Sequence, residues 1–437
     1  MSFPRYESYK DSGVEWLGEI PEHWKFQTIG TCFIERREKV SDKDFAPLSV
    51  TMHGVVAQIA TAAKTDDGEN RKLVRVGDIA INSRSDRMGS SGLSNFDGSV
   101  SLINTVLQPR EFIYPRYSHW MLKNRMFQFE FYRWGRGIVA DLWTTKYSEM
   151  KKITLSVPPL PEQNAIASFL DHETAKIDKL IAEQQRLIEL LNEKRQAVIS
   201  HAVTKGLNPQ APIRDSGVKS IGVLPENWRV KSIYLVLDAI GDIDHYMPNS
   251  VDVGVPYLMT GDLKEFASSV DFENAKQVSK EDYLKLSKRI KSSKDDIILA
   301  RYATIGTSMY IDIDRDFLVS YSCVTIKPKV SEMLGLFLHY YFQSDAFIQA
   351  INHQTNTNTQ SNVGLNDLRK VKVPLPTLPE QLKIIEHLKI EVSKLEKISE
   401  ASQEVINLMK ERRSSLISAA VTGKIDVRNY VPNQEAA

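Results

Sequence analysis

The chain has 437 residues, 42% hydrophobic and 25% charged, with a net charge of +1. That length exceeds one ordinary core and predicts two or more domains, and the composition describes a soluble globular protein rather than a disordered one. A uniformly basic nucleic-acid binder is excluded, as is a disulfide framework: Cys32 and Cys323 stand alone and outside any metal-ligand spacing. No apolar run reaches the roughly 18 residues of a membrane span. The polar start MSFPRYESYKDSG does not read as a signal peptide, so the cytoplasm is the expected compartment.

Taken in chain order, the sequence is written twice. Asp11-Ser-Gly-Val14, Gly18, Pro21-Glu22 and Trp24 return 204 residues later as Asp215-Ser-Gly-Val218, Gly222, Pro225-Glu226 and Trp228. A variable middle follows. In it Val74–Asn82 reads as a buried strand entered from a Gly-Asp turn, and Asp295–Arg301 is its partner at an offset of 218. Both run into loops of small and polar residues, Ser83–Gly92 and Tyr302–Ser308. Ser148–Ile153 and Asn366–Val371 read as a turn leading to a last strand, which prolines 158, 159 and 161, and 374, 376 and 379, then stop.

Leu160-Pro-Glu-Gln163 then matches Leu378-Pro-Glu-Gln381, and the register holds to Ala202-Val-Thr204 and Ala420-Val-Thr422. Each Pro suits a first helical position and the following Glu suits the helix dipole. Residues 162 to 203 contain neither Pro nor Gly, and Gly206 with Pro209 supplies the stop. Such a helix is about 65 Å long at ~1.5 Å per residue. Heptad spacing runs through Leu170, Ile177, Gln184, Leu191 and Val198, with Glu173, Leu180, Leu187, Lys194 and His201 as companions. The second copy gives Leu388, Leu395, Ser402, Met409 and Leu416, with Glu391, Ile398, Val405, Arg412 and Ala419. A parallel pair would set like charges together. An antiparallel pair centred near Gln184 and Ser402 brings Glu173 toward Arg412 or Arg413, and Glu391 toward Lys194 or Arg195.

The expected fold class is α/β (α+β): two domains in tandem, joined by two long antiparallel coiled-coil helices, with a pseudo-two-fold internal repeat. The segments are 1–156, a first domain; 157–208, a first helical region; 209–372, a second domain; and 373–437, a second helical region with the tail.

Charge is unevenly spread. Arg71 to Lys152 holds 14 Lys/Arg against 7 Asp/Glu, whereas Arg289 to Lys370 holds 9 against 8. A local basic excess with interleaved aromatics suits a phosphate backbone. The loops of the first half offer Arg84, Arg87, Arg133, Arg136 and Lys146. Those of the second offer Arg301 and the amide-rich run with Gln354, Asn356, Asn358 and Gln360. Arginine forks fit guanine O6/N7, and Asn or Gln amides fit adenine N6/N7. Trp24 and Trp228 read as packing anchors. The chain lacks GxxxxGK[ST], an Asn/Asp-Pro-Pro-aromatic tetrapeptide, GxSxG and HExxH, so a non-catalytic role is expected.

The repeated opening, with Ile-Pro-Glu-His-Trp in one copy and Leu-Pro-Glu-Asn-Trp in the other, resembles the specificity subunit of type I restriction–modification enzymes. The Leu-Pro-Glu-Gln helices ending near Ala-Val-Thr share that resemblance. It implies two target-recognition domains, each reading one half of an asymmetric bipartite site in double-stranded DNA. It also implies that the helices set the gap between halves and dock two methyltransferase subunits. Leu170, Ile177, Gln184, Leu191, Leu388, Leu395, Ser402 and Met409 would form that seam. Restriction/translocase subunits would attach to the methyltransferases. S-adenosylmethionine, Mg²⁺ and ATP would belong to these partners, with no cofactor on this chain. Two alternatives stand beside it: a coiled-coil adaptor that binds only proteins, and a self-contained DNA methyltransferase.

Overall fold

The recurring Asp-Ser-Gly-Val is turn chemistry. In the computed structural model, which describes residues 3–59, 68–84, 88–137, 143–352 and 362–431, Asp11 accepts the Gly13 N–H at 3.0 Å and Ser12 Oγ accepts the Val14 N–H at 3.0 Å. Asp215 and Ser216 serve Gly217 and Val218 in the same way, at 2.9 and 3.0 Å. Gly13 and Gly217 stand at φ of +65° and +71°, where a side chain would strain the backbone. These turns close two short hairpins, Tyr9–Asp11 on Glu19–Pro21 and Ile213–Asp215 on Val223–Pro225.

The chain divides into two units, Met1–Gln185 with Gln403–Ala437, and Arg186–Ser402. Each is built on a four-stranded antiparallel sheet of the same order. In the first unit the order is Ser91–Leu93, Ile79–Asn82, Asn104–Pro109, Phe33–Glu35. In the second it is Ser308–Tyr310, Ile297–Ala300, Cys323–Pro328, Leu237–Gly241. Alternation along the strands explains their unbroken apolar runs. Ile79, Ile81 and Leu107 enter a core shared with helices Pro115–Lys123 and Arg125–Arg133. Ala80 and Val106 face the other way, into a smaller core with Val74 and Val100 of a three-stranded sheet. Ile297, Leu299, Val324 and Ile326 repeat the first arrangement, and Ile298, Ala300 and Cys323 the second.

The strand expected over 74–82 begins at Ile79. Gly77, at φ +92°, and an Asp78 N–H bonded to the Arg75 carbonyl at 3.0 Å make a turn that separates it from Arg71–Val74. Asp295, at φ +70°, occupies the same place in the second unit, with the Tyr310 hydroxyl donating to its carboxylate.

The long helices are Leu160–Lys205 and Leu378–Val421. Their prolines fall second rather than first. The N–H groups of Glu162 and Gln163 bond Pro159 O at 2.9 and 3.0 Å, and those of Glu380 and Gln381 bond Thr377 O at 3.0 and 2.9 Å. Gly206 and Gly423 end them at φ +74° and +71°.

The helices run antiparallel. In the first unit Arg413 bonds Asp178 at 2.9 Å; in the second Arg195 reaches Glu396 at 3.4 Å. An advance of 17 residues along one helix is matched by a retreat of 17 along the other. Of the expected pairs, Glu391 has Lys194 close enough to help Lys394 lower its pKa, whereas Glu173 pairs with neither Arg412 nor Arg413 among the described residues. Glu173 accepts from Tyr430 and Lys176, at 2.6 and 3.2 Å, and Glu391 from Lys394 at 2.8 Å.

Of the seam residues, Leu170, Ile177, Leu191, Leu388, Leu395 and Ser402 are buried, and Gln184 and Met409 half-buried. Their companions fall one residue later than the spacing suggested. Thr174, Ile181 and Ile188, and Val392, Ser399 and Ile406, turn inward, while Leu180 and Ile398 are 44% and 47% exposed. A heptad alternates steps of three and four, and here the step after Leu170 and Leu388 is four.

Candidate nucleic-acid interface

The repeated Glu-Gln pair holds each unit's frame. Trp24 Nε1 donates to Glu162 at 2.8 Å and Trp228 Nε1 to Glu380 at 2.9 Å. Both indoles are fully buried, as packing anchors should be. Gln163 accepts the Tyr114 N–H at 2.8 Å and donates to the carbonyls of Phe112 and Pro158, both at 2.9 Å. Gln381 accepts the Leu334 N–H at 2.8 Å and donates to those of Glu332 and Pro376, at 2.8 and 3.1 Å. The recurring residues are thus scaffold, and what they carry is a pair of loops.

Those loops are joined by a ladder present in both units. In the first, Arg84 pairs with Thr144, and the Thr145 N–H bonds the Ser83 carbonyl at 2.9 Å. Thr144 also exchanges two 3.0 Å backbone bonds with Arg136. In the second, Tyr302 pairs with Asn362, and the Val363 N–H bonds the Arg301 carbonyl at 3.2 Å. Each residue of the second ladder lies 218 positions after its counterpart. Alternation turns Ser83, Thr145, Arg301 and Val363 inward and leaves Arg84, Thr144, Tyr302 and Asn362 toward the surface. Trp143 stacks on Tyr132 with ring centroids 5.8 Å apart and donates Nε1 to the Tyr132 carbonyl at 2.9 Å, which pins the 133–137 and 143–146 segments together. Gly135 permits this, because a Cβ there would lie 2.1 Å from Trp143 Nε1.

The sequence candidates divide accordingly. Arg84, Arg136 and Lys146 are exposed and come together around Thr144. Arg84 and Lys146 make no ion pair among the described residues, and Arg136 has only a loose one, 3.6 Å from Glu149. Arg133 lies nearby but is held at 2.8 Å by the buried Glu130, which also binds Trp134 Nε1 at 2.7 Å.

Arg301 must be corrected. Its side chain is 7% exposed and paired with Asp242 at 2.7 Å, so it is a strut inside the second unit. Selecting by residue type picked the inward position, and the counterpart of Arg84 is Tyr302. Arg87, Gln354, Asn356, Asn358 and Gln360 lie outside the described residues.

Part of the basic excess of 71–152 is spent within the unit, while Arg110, Arg125, Lys151 and Lys152 are exposed. Arg71 bonds Ser99, Lys72 the Asn104 carbonyl, Arg75 Asp97, and Arg116 Asp171. Thr144, Tyr302 and Asn362 escaped the sequence reading, although aligning the repeats through 84/302 would have found them.

Among the described residues no group of three or more His, Cys, Asp or Glu is placed to hold a metal ion, and no helix is long and apolar enough to cross a membrane. Residues 225–407 match the family described as "Type I restriction modification DNA specificity domain". The type I restriction enzyme EcoBI specificity subunit of Escherichia coli is 23% identical over 290 residues, 64% of this chain and 60% of that protein. The MjaVIII specificity subunit of Methanocaldococcus jannaschii is 28% identical over 294 residues, 64% of each chain. The chain thus matches less than two thirds of the length of both. The putative MjaX specificity subunit of the same organism is 24% identical over 478 aligned positions, covering 98% of this chain and 99% of its own. A solved chain, described with the complex assembly and conformational transition of the type I R-M system, shares the fold at a TM-score of 0.69 and 15% identity, covering 92% of this chain and 98% of its own. The chain is thus similar to the specificity subunits of type I restriction–modification enzymes, and its residues 225–407 carry the match to the DNA specificity domain.

Proposed function

We propose that this chain is the DNA-reading subunit of a type I restriction–modification complex and that catalysis resides on its partners. Each unit reads one half of an asymmetric bipartite site in double-stranded DNA. The helix pair sets the spacer and docks two methyltransferase subunits, to which restriction subunits attach. S-adenosylmethionine, Mg²⁺ and ATP are bound by those partners.

One observation carries this reading. The same ladder recurs in both units, yet it presents Arg84, Thr144, Arg136 and Lys146 in one and Tyr302 and Asn362 in the other. A guanidinium and an ammonium beside a hydroxyl suit guanine edges and phosphates, whereas a carboxamide beside a phenol suits adenine. An adaptor that bound only proteins would have no use for two matched frames with unmatched displays.

The test pairs Arg84→Ala/Lys146→Ala with Tyr302→Ala/Asn362→Ala in chains assembled with their methyltransferase subunits, and maps methylated adenines on genomic DNA. Each double variant is expected to relax one half-site and leave the other intact. Relaxation of the same half-site by both, or methylation without a defined site, would refute the reading.

A further inference from the structure

The first unit contains a half-buried cation that the ladder does not use. Lys123, at the end of helix Pro115–Lys123, donates its ammonium to the carbonyls of Met52, Ser91 and Gly89 at 2.6, 2.6 and 3.3 Å. Among the described residues no carboxylate pairs with it. Three acceptors match the three protons of an ammonium, so the cradle is saturated. Burial, with Arg413 nearby, pulls its pKa down to about 8.

The cradle joins two pieces of chain. Met52 lies at the tip of the hairpin Leu48–Thr51/Gly54–Ala57, and Gly89 and Ser91 belong to the segment that follows the ladder loop. The pieces pack so closely that a Cβ on Gly92 would lie 2.8 Å from Gly54 Cα and 2.9 Å from His119 Nδ1. His119 in turn accepts the Leu93 N–H at 3.3 Å. Ser91–Leu93 pairs with Ile79–Ile81, and the Asn82 N–H bonds the Ser90 carbonyl at 2.9 Å. That strand leads directly into Ser83 and Arg84.

The second unit is bonded differently at the end of its corresponding helix. His339 stands four residues before Gln343, as His119 stands four before Lys123. Gln343 donates to Glu265 and His339 at 3.1 and 2.8 Å and accepts from Arg195 at 3.0 Å.

We propose that Lys123 is a positioning residue of the first reading unit: its ammonium locks the 51–54 hairpin tip to the 89–91 segment, and so fixes the Arg84–Thr144 rung that this unit presents to DNA. The proposal rests on the DNA-reading function above. It is tested with Lys123→Met and Lys123→Gln in the full chain assembled with its partners. Binding is measured to cognate DNA and to DNA substituted in one half-site at a time, and amide exchange is followed over 88–93. The cognate-to-mismatch ratio should fall roughly tenfold at one half-site and hold at the other. Affinity for mismatched DNA should be unchanged, and exchange over 88–93 should quicken. A merely structural role would lower cognate and mismatched binding together and leave the ratio alone, which overturns the proposal, as does unchanged exchange. Should Lys123→Met fail to assemble, Lys123→Gln, whose amide can serve at most two of the three carbonyls, decides by the same ratio. A wild-type chain indifferent to DNA sequence would instead refute the reading function, and exchange over 88–93 would still decide whether the lock exists.

Discussion

Replacing His119 by Asn and His339 by Gln isolates the acid sensitivity built into the two units. Both imidazoles are buried and their pKa values are pulled down to about 3. For His119 burial dominates, helped by Lys123, Arg116 and Arg413; for His339 burial dominates, helped by Arg195. The hydrogen bonds of His339 agree. Gln343 Nε2 donates to its Nε2 at 2.8 Å, so the ring proton sits on Nδ1, 3.1 Å from Ser308 Oγ. A second proton would face another donor. The unfolded chain takes up these protons near pH 6.5 and the folded chain does not. Stability is therefore full above pH 6.5 and falls as the pH drops toward 3. At ~1.4 kcal/mol per pH unit, going from pH 7 to pH 5 costs about 2 kcal/mol for each histidine. Urea unfolding at the two pH values measures this. His119→Asn keeps an acceptor for the Leu93 N–H, and His339→Gln keeps one for Gln343. Each variant should lose about 2 kcal/mol less than the wild type over that interval, and the double variant about 4 kcal/mol less. A double variant with the wild-type pH dependence would show that other groups govern acid unfolding.

Gln163→Ala removes three buried hydrogen bonds and should destabilise the first unit by about 2–4 kcal/mol, and Gln381→Ala the second by as much, read as unit-specific sensitivity to limited proteolysis. Gly77→Ala should cost about 1–2 kcal/mol in urea unfolding, all of it backbone strain, since a Cβ there meets nothing within 4 Å. Exchanging Arg413 and Asp178 tests the helix register: each single charge reversal should cost about 0.2–1 kcal/mol and the double reversal should restore most of it in a double-mutant cycle.

The repeat made the frame legible. Asp-Ser-Gly-Val, the tryptophans and Leu-Pro-Glu-Gln are read directly from the sequence because turns, indole anchors and helix starts depend on local chemistry. The antiparallel helix pair was legible in the charge pattern. Its register was not, because Leu170 and Leu388 could open a heptad with a step of three or of four, and only packing against the other helix decides. The ladder was invisible for a related reason: it joins residues 60 apart in sequence through backbone groups, which leave no signature in side-chain type. Arg301 shows the cost of choosing residues by chemistry before register, since one position along an extended segment separates a surface group from a strut.

The composition of the two units has a consequence for synthesis. The second, Arg186–Ser402, is one uninterrupted stretch of chain. The first must wait for Gln403–Ala437, whose Ile417, Ala420 and Val421 complete the core around Trp24 and whose Tyr430 reaches Glu173. A ribosome delivering about 5–20 residues per second releases the parts of the later unit first. The half of the protein made first is therefore the last to fold, held open until its closing strap emerges. A nascent chain arrested near residue 402 should protect the second unit from protease while leaving the first one digestible.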